Sequence, residues 1–184
     1  TKQITIGYKG RIAINMKINV GDSAHASAPW LAKNAIEESS LFVNEIKAKL
    51  ESGQENKTKG MMLTATITEI KGGLSHNVTP RECDSTLDIR IPVGTSCKSV
   101  EEKISEVVKE ISKKQQVEAF YSIIDETEPF EAEHNSPLVR ALTLGILDIE
   151  KNRPTLIRKT GTGDMNVIGN KLNIQVVTYG PGDP

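Results

Sequence analysis

Histidine is the residue type best suited to acid–base or electrophilic chemistry near neutral pH, and this 184-residue sequence has three. His25 lies in the segment SAHASAPWLA, where small neighbours would let another surface approach the imidazole closely. His76 and His134 have no neighbouring ligand set, so we expect neither to bind zinc. Cys83 and Cys97 belong to no CxxC or Cys/His cluster and are predicted to be buried, reduced thiols. A single loop histidine is more often an ordinary solvated side chain, but His25 is the strongest candidate for chemistry.

The charge pattern argues against several classes of partner. The 23 basic and 24 acidic residues are interspersed and give a net charge of -1, so no surface for nucleic acid or anionic lipid is predicted. The first residues, TKQITIGYKG, lack the layout of a signal peptide, and no apolar run is long enough to span a bilayer. We therefore expect a cytoplasmic protein without nucleic acid or membrane partners.

Four segments alternate polar and apolar side chains, which is the pattern of a strand with one buried face. They are residues 11–20, 61–70, 83–91 and 117–124. With a helix after the first strand and another after the third, the order is strand, helix, strand, strand, helix, strand. This order predicts an α+β fold with a ferredoxin-like βαββαβ unit, in which two helices cover one face of a four-stranded antiparallel sheet.

Both helices of this unit are predicted from apolar side chains at helical spacing. The first follows Pro29, includes Leu31 and runs to about Glu51. The second is predicted to begin at Ser99, with Glu102 in a capping-box arrangement. Its apolar face comprises Val100, Ile104, Val107, Val108 and Ile111.

A smaller unit is predicted after the acidic stretch EPFEAEHNSP, which indicates a hinge or linker. Its first helix is predicted from the spacing of Leu138, Ala141, Leu142 and Leu147. Short apolar runs at 155–158 and 174–179 flank GTGDMNVIGN, an order that suits an α/β sheet. About 55 residues bury too little apolar surface for an independent α/β domain, so we expect an incomplete one.

Four segments together resemble the zinc aminoacylase and exopeptidase family, which includes acetylornithine deacetylase, succinyl-diaminopimelate desuccinylase and carboxypeptidase G. Residues 25–37 carry H-x-x-x-P followed by L-A-x-N-A-I-E, as in the lid motif of that family. Residues 77–80 match its N-V-x-P motif, and the Asp-Ile-Arg of residues 88–90 follows at the expected short distance. Residues 161–164 resemble its G-T-S-D turn, so the resemblance covers almost the whole chain.

The resemblance implies a role for each matched side chain. In the family, the lid histidine enters the partner subunit's active site and stabilises the oxyanion that forms as zinc-bound water attacks an amide carbonyl; this role falls to His25. Asn77 and Arg90 are implied to face the substrate, with the planar donors of Arg90 suited to a carboxylate. The alternative for Arg90 is an ion pair at a strand end. Gly161 and Thr162 are implied to present backbone or hydroxyl donors.

Three positions depart from the family pattern. Ala24 replaces the usual glycine before the histidine, Ala26 replaces a commoner serine or valine, and Gly163 replaces the common serine. These departures concern the local backbone more than the chemistry. Gly161 and Gly163 also suit a tight turn that needs positive φ, which is a structural alternative to a role in binding.

The family's metal ligands are not found in the sequence. There is no H-x-D pair, and the pairs Glu37-Glu38 and Glu101-Glu102 lie on predicted helices, where exposed faces are expected. The resemblance therefore implies zinc, or cobalt, in a full-length enzyme, no metal ligand in this chain, and no hydrolysis by the chain alone. Because the chain starts with Thr1 and stops in a Gly/Pro turn, both ends are expected to be cuts through a longer protein. The implied division is residues 1–10 as a hinge and the end of a first catalytic segment, 11–126 as a dimerisation or lid domain, and 127–184 as a partial second catalytic segment.

Residues 158–166 and 179–183 most resemble one branch of the family, the carrier-protein-linked lysine or ornithine hydrolases. These enzymes release lysine or ornithine from the terminal glutamate of a small acidic carrier protein in lysine and arginine biosynthesis. The resemblance thus implies part of a di-zinc amide hydrolase that forms a homodimer through the lid. An alternative is a stand-alone ferredoxin-like module that pairs through an exposed sheet edge and performs no chemistry. The sequence leaves the choice among lysine, ornithine and an N-acyl amino acid open.

Overall fold

The computed structural model describes residues 3–180, and within that range the chain forms eight strands and four α-helices. In chain order these are β1 (Gln3–Tyr8), β2 (Gly10–Asn19), α1 (Ala35–Glu51), β3 (Thr64–Gly72), β4 (Glu82–Ile91), α2 (Cys97–Gln115), β5 (Glu118–Thr127), β6 (Phe130–Glu131), α3 (Pro137–Glu150), β7 (Thr155–Lys159), α4 (Asp164–Leu172) and β8 (Thr178–Tyr179). None of the helices in that range is long and apolar enough to cross a bilayer. Residues 181–183 of the second branch motif lie outside the described residues.

The first sheet has the strand order β3-β4-β2-β5, and every neighbouring pair is antiparallel. Alternate residues of β4 are buried from Cys83 to Ile91, and they join the inner faces of α1 and α2 in one apolar core. The other face of β4 carries polar side chains such as Asp84, Thr86 and Asp88. Because apolar and polar side chains alternate along the strand, one face of the sheet packs on the helices and the other is polar. The α+β, ferredoxin-like fold predicted from the sequence is confirmed.

Helix α1 begins later than predicted. Asn34 accepts hydrogen bonds through its side-chain oxygen from the first free amides of the helix, so Ala35 is the first helical residue. Pro29 instead opens a separate 3₁₀ turn that ends at Leu31, and Leu31 is exposed. The prediction that this segment belongs to the long helix was wrong because the asparagine cap is the stronger start signal.

Helix α2 also starts at a different cap. Ser96, rather than Ser99, is the N-cap residue, and its hydroxyl oxygen accepts a hydrogen bond from the Ser99 amide at 3.2 Å. The predicted buried face of this helix is confirmed. The strand predicted from residue 61 starts only at Thr64, because residues 59–61 form a 3₁₀ turn.

The second sheet is built around β1, which pairs in parallel with β7 along one edge. The short strands β6 and β8 pair antiparallel with different halves of the other edge. No strand was predicted at β1. Its residues 4–8 are all buried, so polar and apolar side chains do not alternate there. The run at 174–179 yields a strand only at β8.

Helix α3 confirms the helix predicted from this apolar spacing. It packs on the second sheet with Val139 and Ile146 buried and Leu142 partly buried beside them, whereas Leu138 and Leu147 are exposed. The helix is apolar on more than one side, so its spacing alone does not identify the buried face.

The chain passes between the two sheets twice, once at Lys9–Gly10 and again at Glu128–Pro129. The two crossovers touch: a Cβ atom added to Gly10 would lie 2.6 Å from the carbonyl oxygen of Thr127 and 2.6 Å from the backbone nitrogen of Pro129. Only glycine leaves room for this approach, since a side chain there would displace backbone.

Candidate functional site

Two loops of the ferredoxin-like unit, one with His25 and the other with Asn77, pair through their backbones. The Ala26 amide donates to the carbonyl of Asn77, and the Thr79 amide donates to the carbonyl of Ala24, both at 2.8 Å. The Ala24 amide in turn donates to the hydroxyl oxygen of Thr79 at 2.8 Å. Ala24 does not have positive φ, so alanine fits where the family usually has glycine. We call residues 24–28 and 75–79 together the histidine loop pair.

The imidazole of His25 is oriented by its own loop. Nδ1 lies 2.7 Å from the hydroxyl oxygen of Ser27 and accepts a hydrogen bond from the Ser27 amide at 3.2 Å. Because a backbone amide can only donate, Nδ1 is the acceptor, and the neutral ring carries its proton on Nε2. His25 is exposed, so Nε2–H is available to donate to a group outside this loop.

Asn77 supplies a second donor on the same loop pair. Its side-chain oxygen accepts a hydrogen bond from the Ser75 hydroxyl at 2.7 Å, which fixes the orientation of the amide. Within residues 3–180 its side-chain nitrogen makes no hydrogen bond, and the residue is exposed. The histidine loop pair therefore carries two side-chain N–H groups of types that can donate to an oxyanion.

Arg90 lies in a different network. Its Nε donates to Asp88 Oδ1 at 2.6 Å, its Nη2 to Asp88 Oδ2 at 3.2 Å, and its Nη1 to the hydroxyl oxygen of Thr162 at 3.2 Å. The Thr162 hydroxyl donates to the carbonyl of Lys9 at 2.9 Å. Arg90 thus forms an ion pair with Asp88, which was the structural alternative to substrate binding. It also contacts Thr162, in the turn predicted to bind substrate. Its role in binding a carboxylate stays a prediction.

The turn that contains Gly161 and Thr162 leads into α4 without strained backbone. Neither Gly161 nor Gly163 has positive φ; Gly163 is extended, with φ of -155°. Positive φ, the structural alternative considered for these two glycines, is therefore not found. Gly163 instead precedes α4, where its amide donates to the side-chain oxygen of Asn166 at 3.0 Å. A Cβ atom at Gly161 would meet nothing within 4 Å, so its backbone is open to a ligand.

The predicted site residues fall into two groups at opposite ends of the first sheet. Arg90 pairs with Arg11 at the start of β2, whereas Glu82 pairs with Asn19 at its end, which leads to the histidine loop pair. From Glu82 to Arg90, β4 advances roughly 27 Å at about 3.4 Å per residue. His25 and Asn77 therefore do not meet Arg90 and Thr162 within one chain.

One cluster in the described residues has metal-ligand types, but its local chemistry does not suit a metal. Ligand atoms of Cys97, Glu126 and Glu128 lie within 4.8 Å of one another. The Glu128 carboxylate accepts hydrogen bonds from the Cys97 amide at 3.0 and 3.2 Å and so caps α2. Burial first, and then the charges of Glu128 and Glu126, raises the pKa of Cys97 to about 12. Because Glu128 already accepts these bonds, helix capping accounts for the cluster without a metal. Cys83 and Cys97 are both free and buried, as predicted.

Comparison with known proteins identifies the class to which this architecture belongs. Residues 6–116 match the family model of the M20 peptidase dimerisation domain, and the chain belongs to this family. A curated relative from Saccharolobus islandicus, named LysW-lysine/LysW-ornithine hydrolase, is 31% identical over 182 residues. That match covers 98% of this chain and 46% of the relative, so the chain spans about half the length of the curated relative.

Two solved structures show the same fold. A tripeptidase from Staphylococcus aureus aligns with a TM-score of 0.77 at 20% identity, covering 96% of this chain and 44% of the other. An M20 family metallo-carboxypeptidase from Sulfolobus solfataricus aligns with a TM-score of 0.73 at 16% identity, covering 96% of this chain and 51% of the other. In both, the match includes the ferredoxin-like unit and the second sheet, because it covers nearly the whole chain.

Proposed function

We propose that the chain is the dimerisation part of a metal-dependent amide hydrolase together with incomplete segments of its catalytic domain. The proposed division is residues 1–10 and 127–184 as catalytic segments and 11–126 as the dimerisation domain. The observation that carries the proposal is the separation of His25 and Asn77 from Arg90 and Thr162, since one chain alone cannot bring these groups to one substrate.

The exposed edge of β3 is the proposed dimer contact. Among the described strands β3 pairs with β4 alone, which leaves its outer edge open for another strand. Ile67 and Ile70 are 40% and 45% exposed beside α1, and Leu74 at the following hairpin is fully exposed. A second copy that pairs its own β3 antiparallel would cover these side chains and form a two-fold, isologous interface.

In such a two-fold dimer, the histidine loop pair of one protomer would lie near the Arg90–Thr162 network of the other. β3 runs from Thr64, opposite Arg90, to Gly72, opposite Cys83. Antiparallel pairing of two β3 strands sets the Gly72 end of one protomer beside the Thr64 end of its partner. β4 of one protomer then lies about 15 Å from β4 of the other, or three strand spacings. The histidine loop pair of one protomer thereby faces the Arg90–Thr162 network of its partner.

The proposed chemistry is cleavage of an amide bond. Nε2–H of His25 and the side-chain amide of Asn77 would donate to the oxyanion that develops on the carbonyl oxygen, while Arg90 and Thr162 of the other protomer hold the substrate. The described residues offer no ligand set that suits the zinc or cobalt expected of the whole enzyme. We expect those ligands in the part of the full-length protein that this chain does not cover.

The proposed substrate follows from the relatives. Curated relatives that are 31% and 32% identical to this chain are named LysW-lysine/LysW-ornithine hydrolase. We propose that the full-length protein releases lysine or ornithine from a small acidic carrier protein, as a cytoplasmic enzyme of lysine or arginine biosynthesis.

The proposal is tested by comparing the 184-residue chain with the full-length protein that contains it. Both should sediment as dimers, and only the full-length protein should bind about two metal ions and hydrolyse the amide, because the metal supplies the activated water. A monomeric 184-residue chain, or a full-length protein that binds no metal, would favour a binding module without catalysis.

The substitution Ile70→Lys is expected to weaken the dimer at least about tenfold, because it buries a charge in the proposed interface. Sedimentation over a concentration series measures this change. Phe120→Lys is the matched control, since Phe120 is 63% exposed on β5, the opposite edge of the same sheet. Equal weakening by both substitutions, or by Phe120→Lys alone, would place the interface elsewhere.

A further inference from the structure

A small polar cavity lies where the ferredoxin-like unit meets the second sheet. It measures about 60 Å³. Gly60, Met61, Pro92 and Val93 form an apolar part of its lining, and Tyr8, Lys9, Glu131, Arg158 and Lys159 form the polar part. Because a water molecule takes roughly 30 Å³ in the liquid, the cavity has room for a group of carboxylate size.

Lys9 places a buried positive charge at this cavity. The residue is only 4% exposed, and its ammonium donates to the carbonyls of Lys59 and Met62. No carboxylate of the described residues pairs with it. An ammonium has three donors, so one is left for a further acceptor. Burial, and then the charge of Arg90, lowers the pKa of Lys9, as expected for a cation without a counter-ion. A bound anion would offset the cost of burying this ammonium.

The remaining charges of the cavity are also predominantly positive. Arg158 Nη2 lies 2.6 Å from Glu131 Oε1, so the carboxylate in the lining is paired with Arg158. Lys159 is exposed and forms no ion pair within residues 3–180. With Lys9, the lining therefore carries three cations against one carboxylate.

The position of the cavity within the fold is that of a ligand site. Lys9 directly follows β1, and Arg158 and Lys159 end β7, which runs parallel to β1. Ligands of α/β sheets bind beyond the carboxyl ends of parallel strands. The carbonyl of Lys9 accepts a hydrogen bond from Thr162, which also contacts Arg90. The cavity thus adjoins the residues predicted to bind substrate.

We propose that this cavity is a carboxylate-binding subsite in which Lys9, Arg158 and Lys159 hold one carboxylate of the substrate. It is separate from the carboxylate position assigned to Arg90. The substrate class is therefore an amide that carries two carboxylates. This substrate assignment rests on the proposed function, whereas binding of a carboxylate at the cavity does not.

The test uses propionate as the probe and the 184-residue chain, with amide chemical shifts as the measurement. Propionate is expected to shift the amides of residues 8–9 and 158–159 in a saturable way, whereas the neutral propionamide is not. Lys159→Met should weaken propionate binding about tenfold, since it removes one charge-assisted contact. Lys171→Met is the matched control, an exposed lysine on α4, and should leave binding within about twofold of wild type.

Three results would overturn the subsite: no saturable shift with propionate, equal shifts with propionamide, or equal weakening by Lys159→Met and Lys171→Met. The last would show that general surface charge attracts the probe. Because the measurement involves no hydrolysis, failure of the subsite is distinguished from failure of the proposed function, which is tested by metal content and amide cleavage in the full-length protein.

Discussion

Replacing His25 by alanine in the full-length enzyme is expected to lower kcat by roughly 100- to 1000-fold, the usual effect of removing one oxyanion donor. KM should change little, because Nε2–H would contact the oxyanion that forms in the transition state rather than the bound substrate. The dimer should persist, since within residues 3–180 the ring forms hydrogen bonds to Ser27 of its own loop alone. Steady-state kinetics and sedimentation measure these effects.

His76→Ala is the matched control for this experiment. His76 is exposed beside Asn77, in the other loop of the pair, and no chemistry is assigned to it. We expect its removal to leave kcat within about twofold of wild type, as is usual for a surface side chain outside the chemistry. The assignment of His25 fails if the two variants lose activity equally, or if His25→Ala raises KM at unchanged kcat.

The substitution Asn166→Ala is expected to destabilise the folded protein by about 3 kcal/mol, because it removes three hydrogen bonds made by one fully buried side chain. Asn166 is fully buried on α4. Its side-chain nitrogen donates to the carbonyls of Lys9 at 3.1 Å and Glu128 at 2.9 Å, and its oxygen accepts from the Gly163 amide at 3.0 Å. One side chain thus joins both crossovers to the turn that carries Thr162. Urea unfolding of the 184-residue chain measures the change in free energy of unfolding.

Asn170→Ala serves as the control for Asn166. Asn170 lies one turn later on α4 and donates to the carbonyls of Glu128 and Pro129 at 3.3 and 3.2 Å, but it is exposed. Water can replace its bonds, so its removal should cost about 1 kcal/mol or less. An equal cost for both substitutions would mean that Asn166 does not hold the crossovers together.

Much of the fold was predictable because alternation and helical spacing report burial directly. β2 and β4 each alternate against one core, and the buried face of α2 follows its apolar residues. Boundaries were less predictable where two local signals compete, as with Pro29 and Asn34 before α1. β1 was missed because a strand buried on both sides has no alternation to detect.

The site was predictable in its residue types but not in its geometry. Motif spacing selected His25 and Asn77, yet only the structure shows that their two loops pair with each other. Ser27 gave no signal in the sequence, since its effect on the imidazole depends on the local loop conformation. Lys9 and Asn166 were missed for another reason. Lysine and asparagine are usually exposed, and only tertiary packing reveals that these two are buried.

The central claim, that each active site combines residues of two protomers, is tested most directly by mixing two inactive variants of the full-length enzyme. His25→Ala and Arg90→Met should each be inactive alone as homodimers. After equal mixing and subunit exchange, half of the dimers are mixed, and each has one intact site, so about a quarter of wild-type activity should return. If mixed dimers form and no activity returns, His25 and Arg90 act within one chain and the account is wrong.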